Sequence, residues 1–344
     1  MARLYFDANA TTPPHPDAVA AVCRTLGEDW ANPTSTHREG QRARHLLEEA
    51  RRELAEALGV APGELVCCAS ATEALHLLLR GLQAALGDRP AAVFPGEHSA
   101  CLNPLRDWSR VTWLPELPEG CATVIQLAAS NETGLLYTVP TVLDAVRLQD
   151  CAQAWGKVPV DLSRCDAAVF SGHKVGGPRG VALLWLRSGL PWEPVMEGPQ
   201  ERRRRGGTED LPAIRGLAAA VRYLPERLAQ NAALAPLRDA FEAELLGWHR
   251  DLEVIGLGQP RLPNTSCVLF RGRSGEALQV ALDLAGFAVS TGSACHSGSV
   301  KPSHAITTLG YTIEDARSVL RFSMLPDTQP SEVEALVAAI KRLT

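Results

Sequence analysis

The chain has 344 residues, of which 46% are hydrophobic and 21% charged, with a formal net charge of -5 at pH 7. That length holds one large domain or two moderate ones around a substantial core, and the composition is ordinary for a soluble globular protein. The mild acidity argues against a general nucleic-acid binder, and no apolar run has the length of a membrane span.

The opening residues, Met1 to Asp7, lack the apolar core of a signal peptide. Nine cysteines (Cys23, Cys67, Cys68, Cys101, Cys121, Cys151, Cys165, Cys267 and Cys295) form neither a CxxC pair nor a metal-ligand spacing. Most sit in apolar stretches, as buried reduced thiols do. A cytoplasmic protein without a metal site is the expectation.

In chain order, Glu39 to Leu58 carries leucine, alanine and charge at helical spacing, and Gly59 is a plausible stop. Glu64 to Ala69 reads as a strand, and Ala71 to Leu86 as a helix capped at Ser70 or Thr72. Further strands are expected at Ala91–Phe94, Val111–Leu114, Val124–Ala128, Ala145–Leu148, Ala167–Ser171 and Val181–Leu186. Such alternation predicts an α/β layer on a mostly parallel sheet. A helical stretch from Pro212 runs past Ala235, in two pieces broken near Pro225 and Pro236. The last hundred residues read as a smaller α+β unit, with strands at Leu252–Gly256, Asn264–Phe270 and Phe287–Ser290 and helices at Gly275–Ala285 and Ser331–Leu343. The expected division is 13–235 for a large domain, and 1–12 with 236–344 for a small one.

Ser171-Gly172-His173-Lys174, followed by Gly176-Gly177-Pro178-Arg179-Gly180, is the most informative stretch. A lysine directly after a buried strand is a costly choice unless its amine has a task. Schiff-base formation with an aldehyde cofactor is one such task; a surface lysine in a turn is the plain alternative. Ser70-Ala71-Thr72-Glu73 joins a strand to a helix, either as an anion site at the helix start or simply as an N-cap. Asp150 and Gln153 lie after a strand, where α/β folds bind ligands. Asp150 could hold a pyridine nitrogen protonated and Gln153 could bond a ring hydroxyl, whereas an N-cap would explain the aspartate alone.

Asn131, in Ser130-Asn131-Glu132-Thr133-Gly134, is a potential donor or ordinary turn chemistry. His98 could stack on a flat ring or be a satisfied polar residue. Cys295 lies in Ser290–Ser299, a run of small residues, close to His296 and Lys301. It reads as a reactive thiolate or as an incidental cysteine in a serine-rich loop. Arg321 sits in an apolar strand and needs an anion, either a substrate carboxylate or a structural salt-bridge partner. The run Arg202-Arg203-Arg204-Arg205 reads as a solvated face or a site for a phosphate or acidic partner.

Together these motifs resemble the cysteine desulfurases of the class V aminotransferase family, which are pyridoxal-phosphate-dependent enzymes of fold type I. The match runs from Tyr5-Phe6-Asp7-Ala8-Asn9-Ala10-Thr11-Thr12 to Leu320-Arg321-Phe322-Ser323. Between them lie Asn32-Pro33, Ala71-Thr72-Glu73, Glu97-His98, Asn131-Glu132-x-Gly134, Asp150-x-x-Gln153, Ser171-Gly172-His173-Lys174 and Arg205-Gly206-Gly207-Thr208. The Ser293-Ala294-Cys295 loop is similar to that of the branch whose nucleophilic cysteine rides on a longer loop.

The resemblance implies a large α/β domain with a small α+β domain, a homodimer, and conversion of L-cysteine to L-alanine. Lys174 would bind pyridoxal 5'-phosphate as a Schiff base and take the substrate's α-proton. Asp150 would pair with the ring nitrogen, Gln153 with the ring oxygen, and His98 would stack on the ring. Ala71, Thr72, Ser171 and His173 would hold the phosphate, joined by Thr208 from the other subunit. Asn32, Asn131 and Arg321 would bind the substrate, with Asn131 also near the cofactor. Cys295 would take the sulfur as a persulfide and pass it to an acceptor protein for iron–sulfur cluster or thio-cofactor synthesis.

Two departures stand out. Ala69-Ser70 replaces the family's Ser-Gly, and the spans from His98 to Asn131 and from Asn131 to Asp150 are short. The first span lacks a helix-sized element, and Pro140–Ala145 is too short for a crossover helix. The cofactor site is nevertheless expected to survive, since its residues are present. Selenocysteine lyase or another β-eliminating lyase is the rival enzyme, and a trimmed, non-enzymatic scaffold is the rival of another class.

Overall fold

Runs such as Ala167–Ser171 and Ala182–Leu186 show no polar alternation and are buried throughout, as strands covered on both faces must be. A computed structural model of the chain describes residues 3–291, 295–296, 299–300 and 302–344. It divides into two compact units, one of Met1–Thr11, Ala129–Leu136 and Glu226–Thr344, the other of Thr12–Ala128 and Tyr137–Pro225. Among the described residues no helix is long and apolar enough to cross a membrane.

The larger unit is built on a seven-stranded sheet. Its spatial order is Leu65–Cys68, Ala182–Leu186, Ala167–Ser171, Val146–Asp150, Thr123–Leu127, Ala91–Val93 and Val111–Trp113. Only Ala182–Leu186 runs against its neighbours, so the sheet is mostly parallel, as expected. The helix Ala71–Leu86 starts where the Ser70 hydroxyl accepts from the N–H of Glu73. Its buried face, including Leu75, Leu78 and Leu82, joins Val66, Ile125, Leu148 and Val169 in the core.

Helices Pro16–Glu28 and Arg38–Leu58 both pack against Leu211–Val221. The first of these is absent from the sequence reading, because Pro13, Pro14 and Pro16 look like loop punctuation. Pro16 is instead the first helical residue, where no N–H is needed, and His15 Nδ1 caps Asp17.

The short connections are as spare as the spacing suggests. Between Ala91–Val93 and Val111–Trp113 there is only a four-residue helix, Ser99–Leu102, and a 3-10 turn, Pro104–Asp107. The crossover from Thr123–Leu127 to its parallel neighbour Val146–Asp150 holds no helix. Parallel strands require a long connection. Here that length includes Ala129–Leu136, which groups with the other unit.

The smaller unit carries a four-stranded antiparallel sheet in the order Ser290–Thr291, Val319–Ser323, Thr265–Phe270, Leu252–Val254. Helices Leu234–Trp248, Gly275–Leu284 and Pro330–Leu343 surround a core in which Phe241 and Phe322 meet edge-on at 5.1 Å.

Three boundaries correct the sequence reading. The strand expected over Phe287–Ser290 is two: Phe287–Ala288 pairs in parallel with Leu4–Tyr5, and Ser290–Thr291 joins the sheet. The long helical stretch is three helices, Leu211–Val221, Leu224–Ala232 and Leu234–Trp248, with Pro225 and Pro236 in the first turns of the last two. Asp150 is the last residue of its strand rather than a residue beyond it.

The arginine run is a solvated face only in part: Arg202 and Arg203 are exposed, whereas Arg204 and Arg205 are half-buried. Glu201 is buried and clasps Arg51 of the helix Arg38–Leu58 through two hydrogen bonds of 2.8 Å. The same carboxylate accepts from the N–H of Cys67 at 2.8 Å. Glu201, Arg202 and Arg203 have φ of 47°, 58° and 66°, a left-handed turn that non-glycine residues rarely adopt. It is tied down on each side: Arg202 donates to Pro62 O, Arg204 to Leu65 O and Arg205 to Glu73. Replacing one partner of the buried pair leaves an uncompensated charge. Arg51→Met is therefore expected to destabilise the protein by roughly 3–5 kcal/mol, with part restored by adding Glu201→Gln. Urea unfolding measures this, and an unchanged midpoint in the single variant would contradict the role of the pair.

Candidate active site

Six of the seven strands of the larger sheet share a direction, so their carboxyl ends emerge along one edge. Ala71 and Thr72 follow Leu65–Cys68, and Ser171, His173 and Lys174 end Ala167–Ser171. Asp150 ends the adjacent Val146–Asp150 and Gln153 follows it, and His98 follows Ala91–Val93. Neighbouring strands lie about 5 Å apart. The edge therefore gathers residues spread over a hundred positions of sequence.

Ser171 is buried at the end of its strand, and Gly172–Lys174 forms a single 3-10 turn that leaves His173 and Lys174 half-buried. Two glycines make the turn possible. A Cβ on Gly172 would lie 2.7 Å from the carbonyl oxygen of Val181, and one on Gly177 would lie 2.8 Å from that of Gly172. The buried Thr12 clamps the turn: its N–H and hydroxyl both donate to His173 O, and its oxygen accepts from the N–H of Gly176. Burial lowers the His173 imidazole to about 4, helped by the charges of Lys174, Arg179 and Lys157. Near pH 7 it is a neutral ring with one N–H to give.

One oxygen of Asp150 accepts from the N–H of Ala152 at 2.9 Å, which fixes the carboxylate relative to its own turn. Gln153 is buried, and its Oε1 accepts from Lys157 Nζ at 2.5 Å. Glu97 is also fully buried. Burial, and then the charge of Asp150, push its carboxyl well above the usual range. Glu97 therefore favours its neutral, protonated form.

Ala71 and Thr72 are the first two helical residues of Ala71–Leu86, with Ala71 half-buried and Thr72 exposed. Free N–H groups at a helix start attract phosphate. His98 is exposed and caps Ser99–Leu102 by accepting from the N–H of Ala100. Asn32 is exposed and accepts through Oδ1 from both the N–H and the hydroxyl of Thr34. Thr208 is exposed just after the left-handed Arg turn and the tightly approached Gly206.

The smaller unit brings Asn131 and Arg321 together. Arg321 is buried on Val319–Ser323; Nη1 donates to Asn131 O at 2.9 Å and Nη2 to Asp7 Oδ1 at 2.5 Å. Its buried Nε has no hydrogen-bond partner among the described residues. Asp7 is thus the structural salt-bridge partner that one sequence reading of Arg321 called for. Asn131 lies in a turn where the Ser130 hydroxyl accepts from the N–H groups of Glu132 and Thr133. Gly134 at φ 74° completes it. Cys295 lies in a two-residue strand paired with Ser299–Val300, and its side chain lies outside the described residues.

The donor set fits pyridoxal phosphate. An amine can take the aldehyde, and a carboxylate from the next strand can take the ring nitrogen. A helix start, a serine and a neutral histidine suit a phosphate. Sequence reasoning met Asp7, Thr12 and Glu97 only as members of motifs and gave them no role, and it missed Lys157, whose signal is a lysine inside the apolar stretch Ala154–Val160.

The model of the aminotransferase class-V family matches residues 4–336. The chain is 35% identical to a cysteine desulfurase of Cereibacter sphaeroides, over 99% of this chain and 95% of that protein. That alignment extends over 370 residues, more than this chain contains, so the relative has residues that are missing here. An IscS-like cysteine desulfurase of Mycobacterium tuberculosis is 34% identical, over 98% of this chain and 95% of its own length. Among solved structures, a NifS-like protein superposes with a TM-score of 0.90 at 28% identity, covering 99% of both chains. A match from Leu4 to Leu336, on a sheet edge that gathers a lysine, an aspartate and a helix start, leaves one conclusion: the chain belongs to the class-V aminotransferase family.

Proposed function

We propose that this protein is a pyridoxal-phosphate-dependent cysteine desulfurase that converts L-cysteine to L-alanine and retains the sulfur on Cys295. The observation that carries the reading is the placement of Lys174 and Asp150 at the ends of adjacent parallel strands. Whole-length similarity to proteins named cysteine desulfurase supplies the substrate.

In this reading Lys174 holds the cofactor aldehyde, Asp150 keeps a proton on its ring nitrogen, and Gln153 donates to the ring oxygen. Ser171, His173 and the N–H groups at Ala71 and Thr72 take the phosphate, and His98 covers the ring. Bound there, pyridoxal phosphate supplies an electron sink for the pair left at the substrate Cα. Lys174 takes the Cα proton on Nζ. Arg321 holds the substrate carboxylate, with Asn32 and Asn131 orienting the rest of the amino acid. The Cys295 thiolate attacks Sγ of cysteine; a sulfur–sulfur bond forms and the Cβ–Sγ bond breaks. Protonation of Cβ, and return of the proton from Lys174 Nζ to Cα, then yield alanine. Thiol plus cysteine gives persulfide plus alanine, so no external oxidant is consumed.

Six of the other cysteines suit this assignment. Burial raises the thiols of Cys67, Cys68, Cys101, Cys151 and Cys267, and carries Cys165 to about 12, so these remain protonated and unreactive. We further place Thr208 against the phosphate bound by the other subunit of a homodimer. The persulfide passes to an acceptor or iron–sulfur scaffold protein, in the cytoplasm, where such thiols stay reduced.

Lys174→Ala is expected to abolish the visible absorbance of the bound cofactor and to slow alanine formation by about 10³-fold or more. A variant that kept the band would remove Lys174 from this role. Cys295→Ala is expected to keep the band and lose sulfur transfer from cysteine, as followed by alanine and sulfide production. Sulfide release at the wild-type rate would sink the nucleophile and favour a β-eliminating lyase. Absence of the band in the wild-type protein supplied with pyridoxal phosphate would favour a scaffold.

A further inference from the structure

Lys174 is only half-buried, whereas Lys157 is 2% exposed. Lys157 closes a short turn, where its N–H donates to Ala154 O at 3.0 Å, and its ammonium lies 2.5 Å from Gln153 Oε1. An ammonium can only donate, so the atom facing it must be the amide oxygen. Chemistry thereby settles an orientation that an amide alone leaves ambiguous. With Oε1 directed at Lys157, the opposite side of the amide carries Nε2, whose N–H groups are donors.

We propose that Lys157 is a positioning residue: its buried ammonium locks the Gln153 amide so that Nε2, never Oε1, is presented to the ring oxygen of the cofactor. The proposal rests on the pyridoxal phosphate reading above. A free amide could turn over and present its oxygen to an oxygen that carries negative charge, replacing an attraction with a repulsion. The ammonium also enhances the amide as a donor, because a charge-assisted bond on one end polarises the other. Lys157 reaches a second phosphate-side residue too, since its charge is among those that keep His173 neutral.

A purely structural role makes a different forecast, with affinity following stability. Replacing both members of a buried polar pair by apolar side chains of similar length is often neutral for stability, whereas removing one leaves the other unsatisfied. Lys157→Met alone should therefore lower the urea midpoint of the cofactor-stripped protein, and the double variant Lys157→Met, Gln153→Met should bring it back close to the wild-type value. Both variants should nevertheless weaken binding of added pyridoxal 5'-phosphate by about tenfold, read from tryptophan fluorescence quenching, and displace the visible absorption maximum of the bound cofactor. Gln153→Met should show the same loss, and the double variant should be no worse than either single, because one contact is lost in all three.

Wild-type affinity and an unmoved absorption maximum in Lys157→Met would overturn the proposal, as would losses that multiply in the double variant. Because Lys157→Met is expected to unfold more easily, Gln153→Glu tests the same contact. A carboxylate keeps a partner for Lys157 but offers the ring no N–H, so stability should hold while affinity falls; unchanged affinity there would refute the assignment. If the wild-type protein gives no visible band with pyridoxal phosphate, the cofactor reading fails, and this inference with it.

Discussion

Common strand direction is the constraint from which the site follows. Six strands of the larger sheet run one way, so one edge collects every carboxyl end, with the polar turns that cannot be buried inside the sheet. The single reversed strand, Ala182–Leu186, is equally consequential. It forces the chain leaving Ala167–Ser171 to fold back within ten residues, with Gly172 N–H donating to Val181 O. The lysine turn is therefore tight rather than the start of a crossover helix. Gly172 and Gly177 are required there because backbone meets backbone, and Thr12 reaches in to hold what the turn itself cannot.

Electrostatics at this edge is sorted by burial. Two carboxyl groups influence each other, Glu97 and Asp150, and both cannot be charged cheaply. The fully buried Glu97 is the one pushed well above the usual range, first by its burial and then by the charge of its neighbour. Cations obey the same logic. Lys174 and Arg179 flank His173 in sequence and Lys157 acts on it from a different turn, and together with burial they hold the imidazole neutral. A neutral histidine can donate to a phosphate while adding no further charge to a crowded cationic turn.

Rigidity elsewhere has a comparable origin. The left-handed residues Glu201 to Arg203 persist because a buried bidentate pair and several arginine-to-carbonyl bonds over-determine them. That turn immediately precedes Gly206, Gly207 and Thr208. A strained, multiply tethered segment delivers a residue to a defined place better than a slack loop would, which suits the phosphate contact proposed for Thr208.

Much of this was legible in the chain. Strand–helix alternation predicted the mostly parallel sheet, and uninterrupted apolar runs located most of its strands, because burial on both faces leaves a mark in local composition. Motif order pointed to the family, and residue spacing exposed the missing crossover helix. Hidden from local reading were Pro16 as a helix start, the split of Phe287–Ser290 into two strands, and the true partners of the arginine run. Each depends on what lies opposite in space: a proline reads as loop until a cap and a packing face are known, and arginines read as solvated until carbonyls converge on them. The same holds for Lys157 and Arg321. Sequence marks each as a charge in apolar surroundings, but only packing, by supplying Gln153 to one and both Asp7 and Asn131 O to the other, decides what each charge holds.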